Sequence, residues 1–231
     1  MNLGTITDSS SSADTHGFIQ NVGGLVGAVW SDGVIMNSHS SGEVTTAAGG
    51  SRGGGLVGES QGSIIDCSSS SNVQTGQGYA GGLVGSIRYD GEVVRSFATG
   101  NVSSNQFWVG GLVGIVFDGS ITDSYSTGDV VAGYLVGGLV GESRGDISNS
   151  YSTGAVEADQ DPFGGLVGES DGVITDSFWD EETSGITEGE FGEPRETASF
   201  DDGTFGGWNF SDTWVIGIAP DGETRPILQW Q

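Results

Sequence analysis

Gly137-Gly-Leu-Val-Gly141, followed by Gly145-Asp-Ile-Ser-Asn-Ser-Tyr-Ser-Thr-Gly-Ala-Val156, repeats almost letter for letter a stretch one unit earlier, Gly110-Gly-Leu-Val-Gly114 and then Gly119-Ser-Ile-Thr-Asp-Ser-Tyr-Ser-Thr-Gly-Asp-Val130. The pentapeptide occurs six times unchanged, beginning at Gly23, Gly54, Gly81, Gly110, Gly137 and Gly164. The spacings are 31, 27, 29, 27 and 27 residues. Its trailing block fits the same frame from Gly33, Gly62 and Gly91, and in shortened form from Gly172. Gly4-Thr-Ile-Thr-Asp-Ser9 is the second half of a unit, so the chain opens in mid-repeat. Inside each unit the pattern alternates with period two, the signature of strands, and no 12-residue stretch carries a helical period. Units this short cannot bury a face alone, but stacked units bury a continuous core. The expected fold is therefore all-β, a β-solenoid of about six coils of 27–31 residues, with glycines at positive φ marking the corners.

Stacking turns like positions into ladders. Leu25, Leu56, Leu83, Leu112, Leu139 and Leu166 form one, and Val26, Val57, Val84, Val113, Val140 and Val167 the next. Neighbours on a strand face opposite ways, so that strand is expected to be covered on both faces or to carry a Val stripe outside. A third ladder is Ser38, Cys67, Ser96, Ser124, Ser150 and Ser177, which makes the single cysteine a small buried rung. Beside it runs a row of His39, Ser68, Phe97, Tyr125, Tyr151 and Phe178, aromatic except near its start.

The paired motif resembles the GLUG-motif repeat family over roughly residues 4 to 182. The tail is similar to the ends of such proteins, in Ser177-Phe-Trp-Asp-Glu-Glu-Thr-Ser-Gly185, Phe205-Gly-Gly-Trp-Asn-Phe-Ser-Asp-Thr-Trp214 and Arg225-Pro-Ile-Leu-Gln-Trp230. The resemblance implies a β-helical surface protein of the adhesin type, and it carries over no catalytic residue. Fuller members have a signal peptide, partner domains and an anchor, none of which this sequence shows. The expected organisation is a solenoid over 1–178 and a capping segment over 179–231. Trp179, Trp208, Trp214 and Trp230 fall in that segment, as does a set of phenylalanines, and they are expected to fold over the last coil and hide its sheet edge.

Composition narrows the function. The 231 residues hold 44 Gly, 31 acidic and 6 basic side chains, for a formal net charge of −25. All the basic residues are arginine, and such a surface repels nucleic acid and anionic membranes alike. No apolar run approaches the ~20 residues of a membrane span, so neither nucleic acid nor direct membrane insertion is expected. One cysteine excludes an internal disulfide framework. The arginines sit at different repeat phases, and His16 and His39 lack a ligand-spaced partner, so no catalytic, cofactor or metal residue is assigned. Asp159-Gln-Asp161 and Asp180-Glu-Glu182 are acidic loops of the kind that suit structural Ca²⁺, although neither has a known calcium-loop spacing. An acid-rich coat without lysine keeps a protein hydrated in concentrated salt, which points to a haloarchaeal host or a virus of one.

The leading expectation is a non-enzymatic adhesion or scaffold module at the cell surface. A virion component is the alternative, and a polysaccharide-processing enzyme the remote one. Its partner would be a protein or glycan on a cell or virion surface. Recognition is placed in the loops of the longer units, Thr45 to Arg52 and Ser103 to Trp108, with Thr45, Arg52, Ser103, Phe107 and Trp108 as candidate contacts. The unmatched half-repeat from Asn2 to Ser12 offers an open edge through which a second copy could associate.

Overall fold

The structure is a computed structural model that describes residues 4–18, 20–47, 49, 51–201 and 205–231. The chain winds as a β-solenoid of about six coils. Each full coil lays down five short strands, and like strands stack in parallel, in register, into five sheets. Numbered from the Leu-Val motif onward, sheet 1 opens with Val26–Val29, sheet 2 with Thr5–Thr7 and Val34–Met36, and sheet 3 with Ser10–Ser11 and His39–Ser40. Sheet 4 opens with Thr15–Gly17 and Glu43–Thr46, and sheet 5 with Asn21–Gly23 and Ser51–Gly54.

Leucine and valine of the motif both point inward. Leu56, Leu83, Leu112, Leu139 and Leu166 join Val57, Val84, Val113, Val140 and Val167 in one buried cluster, with Leu25 and Val26 half-buried against it in the first coil. Period two fails here because the leucine lies at a bend just before the strand. Its carbonyl accepts from two amides of the preceding coil, as Leu83 does from Leu56 and Val57 at 2.9 and 3.0 Å.

The interior has two lobes. One is the Leu-Val cluster between sheets 1 and 2. The other lies between sheets 4 and 5, built from Val44, Val73, Val102, Val130 and Val156 facing Val22, Ala80, Val109 and Val136. Between them the inward residue of sheet 3 meets the double glycine of the opposite wall. Ser126 Oγ donates to Gly138 O at 2.6 Å, and Ser152 Oγ to Gly165 O at 2.7 Å. A Cβ on Gly138 would lie 2.2 Å from Gly165 O and 2.8 Å from Ser152 Oγ. The motif glycines are thus fixed by lack of space, and none of them takes a left-handed φ.

Glycine does mark some corners, as at Gly42, Gly78 and Gly119 with φ of 108°, 110° and 114°, but not every corner. The sharp turn from sheet 2 to sheet 3 uses Asp8, Asn37, Asp66, Arg95, Asp123, Asn149 and Asp176, all with φ between 45° and 52°. Asp and Asn tolerate this region better than other side chains. Arg95 departs from the type and is held by Asp66 through Nε–Oδ1 and Nη2–Oδ2 contacts of 2.7 and 2.8 Å.

Directly after each such turn, the serine ladder adds a second set of rungs. Ser96 N donates to Ser124 Oγ, Ser124 N to Ser150 Oγ and Ser150 N to Ser177 Oγ, each at 3.2 Å. Each of those hydroxyls donates in turn to the carbonyl two residues back, as Ser124 does to Thr122 O at 2.8 Å. Cys67 takes one place in this column, buried, with Sγ 3.1 Å from Ile65 O.

Burial lifts the Cys67 thiol from 9.0 to about 11, and burial also raises the Tyr125 and Tyr151 hydroxyls above their ordinary 10.0. These groups lose their protons first in the unfolded chain, so the stability from burying them neutral is complete below pH 9. For the thiol it is then lost as the pH climbs through about 11, at no more than about 1.4 kcal/mol per pH unit. Urea midpoints measured upward from pH 8 should fall from about pH 9. Cys67→Ser should remove the first part of that fall, since it supplies a hydroxyl rung that stays neutral. An unchanged profile would contradict the assignment.

The last coil is closed by Trp179, which replaces the small inward residue of sheet 3. Its indole is fully buried against Gly165, and Nε1 donates to Ile186 O at 2.7 Å. Glu193–Arg195 adds one more parallel rung to sheet 3 beyond Phe178–Asp180. Past this point the tail does more than cover an end, because it turns back along the outer face of sheet 3. Phe200, Phe205, Trp208, Trp214 and Leu228 bury Tyr125, Tyr151 and Phe178. Within the row, Phe97 stacks on Tyr125 and Tyr125 on Tyr151, at 5.0 and 4.9 Å. Polar contacts pin the tail to four coils: Trp230 Nε1 to Arg95 O (3.0 Å), Trp214 Nε1 to Asp123 Oδ1 (3.0 Å), Tyr151 Oη to Pro226 O (2.7 Å) and Trp208 Nε1 to Asp176 O (2.7 Å). The row is polar at Ser10, His39 and Ser68 because the tail does not reach them, and His39 is exposed.

Candidate partner-binding surface

Residues of one repeat phase form columns on the outside. Two residues before each motif, sheet 5 presents Asn21, Arg52, Tyr79 and Trp108 on successive coils. Two other columns belong to sheet 1 and the corner after it: Ala28, Glu59, Ser86, Ile115, Glu142 and Glu169, then Gln61, Arg88, Phe117 and Arg144.

Sheets 5 and 1 meet at a re-entrant angle, so side chains of the first reach over the second. A Cβ on Gly85 of sheet 1 would lie 3.0 Å from Gly53 O of sheet 5, which is how close the two walls come. Arg52 Nε is 3.0 Å from Glu59 Oε2, Arg88 Nε approaches the same oxygen at 3.6 Å, and Arg52 Nη1 donates to Asn21 Oδ1 at 3.0 Å. Trp108 Nε1 donates to Glu142 Oε2 at 2.5 Å, and Arg144 holds the other oxygen of Glu142. Tyr79 bridges the two walls, with its ring 4.9 Å from Trp108 and 5.7 Å from Phe117. Arg88 stacks over Phe117 at 3.8 Å. Phe107 lies beside Trp108 and meets Tyr134 of the next coil edge-on at 5.6 Å.

The middle of this strip is sealed, because Glu59, Ser86 and Ile115 are buried although they lie outside both interior lobes. The rings beside them are half-buried, and Phe107 is exposed at 39%. Trp108 stands at φ 58°, a left-handed conformation that costs a bulky residue about 1–2 kcal/mol. Leu135, in the same position of the next coil, takes φ 55°, so the bend belongs to the wall, and the Trp108 ring rests there against Glu142 and Tyr79.

Of the five candidate contacts named from sequence, Arg52, Phe107 and Trp108 come together in this strip. Thr45 and Ser103 do not. They sit on the outer row of sheet 4, in register with His16, Gln74 and Val131, and Thr45 Oγ1 is hydrogen-bonded to His16 Nδ1. The loop assignment also needs correction. Coil length varies at two corners, between sheets 1 and 2 and between sheets 4 and 5. The two additional residues of the 29-residue unit fall at Arg88 to Gly91, since Val84 to Glu92 is eight residues where Val57 to Ser63 is six. Val102 to Val109 is seven residues, the same as Val73 to Ala80. Sequence reading missed Tyr79, Phe117, Glu59 and Glu142. Aligning the units on the double glycine would have found the columns, because each lies at a constant offset from it.

Of the two acidic loops, Asp180-Glu-Glu182 serves the fold, while Asp159-Gln-Asp161 is exposed. The buried Asp180 accepts from Glu182 N and Thr183 N at the start of a helix, Glu181–Ser184, accepts from Thr197 Oγ1, and lies 3.8 Å from Arg225 Nη1. Glu182 accepts from Thr197 N at 3.0 Å. Asp180 and Glu182 are therefore engaged within the chain. Among the described residues no cluster of three or more His, Cys, Asp or Glu is placed to hold a metal ion. Nor is any described helix long and apolar enough to cross a membrane.

Comparison with known proteins agrees with this architecture. The GLUG motif matches residues 20–45, 109–131 and 132–157. A protein of Evansella cellulosilytica, provisionally named a Gly-rich membrane protein, is 38% identical over 115 residues, covering 44% of this chain and 13% of its own length. The chain thus spans only a small part of that relative. A crystal structure from Bacteroides ovatus, of a protein provisionally named an immunoglobulin A1 protease, superposes with a TM-score of 0.63 at 22% identity, over 98% of this chain and 75% of the other. At that identity the likeness is one of fold. The chain is a β-helix carrying GLUG-motif repeats.

Proposed function

We propose that the chain is a non-catalytic module displayed at a cell surface, where the rigid solenoid presents the strip between sheets 5 and 1 to a partner. The observation that carries this reading is the strip itself. Tyr, Trp and Arg, the residue types that dominate recognition surfaces, share one outer angle of a scaffold ordered by continuous ladders. An adhesion role fits a fold whose walls cannot flex coil by coil without breaking inter-coil hydrogen bonds. The name of the Evansella relative places that protein at a membrane, which accords with surface display here. Antibodies against the solenoid should label intact producing cells, and labelling only after permeabilisation would overturn the proposal.

The acid coat is the part of the reading that concerns solvent, and it favours an extreme-halophile setting. With a net charge of −25, self-repulsion opposes compaction in dilute buffer and is screened within about 3 Å at molar salt. The thermal midpoint should therefore rise steadily between 0.05 and about 2 M NaCl. A midpoint independent of salt would refute adaptation to brine.

A further inference from the structure

Resting on the reading of a surface module, we infer that the strip formed by Tyr79, Phe107, Trp108, Tyr134 and the Glu142–Arg144 pair binds a neutral, extended glycan lying along the solenoid axis. Two observations set the ligand class, and a third supplies the variant that tests it.

The first is the placement of the rings. Tyr79 and Trp108 share one column on consecutive coils, and Phe107 and Tyr134 share the column beside it, so in each column rings recur along the axis at the coil spacing of roughly 4.8 Å. That spacing is comparable to the length of one sugar residue in an extended chain. Phe107 widens the platform beside Trp108 and leaves part of its ring in solvent. Aromatic faces of this kind receive the C–H faces of pyranose rings, and the apolar contact needs no particular substituent pattern.

The second is the charge. Arg52 and Arg88 face Glu59, and Arg144 faces Glu142, so the guanidinium groups bring no free positive field. The chain around them carries −25, which repels an anionic ligand. What the pairs do offer is a set of fixed hydrogen-bond donors and acceptors next to the rings, suited to hydroxyl groups. A protein partner is less well served. Its anchors need a desolvated apolar pocket, and here ion pairs interrupt the rings.

The third is Trp108. Its φ of 58° recurs at the buried Leu135, φ 55°, in the same position of the next coil, so the left-handed bend belongs to this wall. The bend supplies a clean variant. Trp108→Gly removes the ring while giving the backbone the residue best suited to its conformation.

The test is calorimetric titration of the full chain with cellohexaose, xylohexaose, mannohexaose and chitohexaose at millimolar concentration, and with a hyaluronan fragment. At least one neutral hexaose should bind, with an affinity unchanged by molar NaCl. Trp108→Gly and Phe107→Ala should each weaken it about tenfold or more, equivalent to about 1.4 kcal/mol. Trp108→Gly should keep the thermal midpoint of the parent, and Ile218→Ala, 66% exposed on the tail, should leave binding untouched. No binding by any neutral hexaose overturns the glycan assignment, and surface labelling of intact cells then decides separately whether the module reading survives. Binding of hyaluronan alone, abolished by salt, overturns neutrality of the ligand. A folded protein that binds through Trp108 where no sugar does overturns the ligand class. Sugar binding that persists in both ring variants overturns the location.

Discussion

Gly138→Ala is expected to leave no native protein. The added methyl would sit 2.2 Å from Gly165 O and 2.8 Å from Ser152 Oγ, at the waist where opposite walls touch. Relief would require moving backbone that is hydrogen-bonded to the coils on either side, as Gly138 N is to Gly164 O. Strain of this kind belongs with the exceptional substitutions, above about 4 kcal/mol. The comparison is Gly185→Ala, where φ is 75° but nothing lies within 4 Å, so only the left-handed penalty of about 1 kcal/mol applies. Near-UV circular dichroism and a urea titration would separate the two. A cooperatively folded Gly138→Ala protein with a midpoint close to the parent would show that the waist has room.

Trp214→Ala should be the most damaging single change in the tail. The indole is fully buried, stacks against Trp208 at 4.5 Å and approaches Tyr125 and Tyr151 at 6.2 and 6.1 Å. Truncating a buried aromatic of this size costs about 3–5 kcal/mol, and here Asp123 also loses its donor at the sheet 2–3 turn. Deleting residues 205–231 should do more, uncovering Tyr125, Tyr151 and Phe178 as one apolar stripe. Dye binding to exposed apolar surface and light scattering would report it, and a deletion variant that stays monomeric and dye-silent would contradict the account. His39→Ala, beyond the tail's reach, should change stability by less than about 0.5 kcal/mol.

Much of the solenoid was legible because it is written six times. Leu56, Leu83 and Leu112 occupy one phase, so stacking follows from the string of letters without any energy term. The serine column was legible for the same reason, and so was the place of Cys67 within it. Two physical points were not. The double glycine looked like a corner because left-handed φ is glycine's best-known use, whereas the true demand comes from the next coil of its own wall and from the wall across the interior, as Gly82 O and Ser69 crowd Gly55. The path of the tail was hidden because it does not repeat and its contacts are remote, with Trp214 meeting Asp123 and Trp230 meeting Arg95. The row Phe97, Tyr125, Tyr151 and Phe178 was nonetheless a clue. Aromatic residues on the outside of a sheet need a cover, and the tail held the only dense supply of matching rings. The strip was half-legible. Phe107 and Trp108 were named, but as members of a loop that was taken to be long, and their partners lie on other coils.

The tail's grip on four particular coils has an evolutionary consequence. Repeat arrays lengthen by duplicating a unit, and in most solenoids any unit will serve as the copy. Here a unit inserted between Arg95 and Asp176 would slide Trp230, Trp214 and Trp208 out of step with the turns they hold. A unit inserted ahead of Ser68 would disturb none of them. Viable duplications should therefore accumulate on the amino-terminal side, leaving the carboxy-terminal coils as the oldest and least negotiable part of the array.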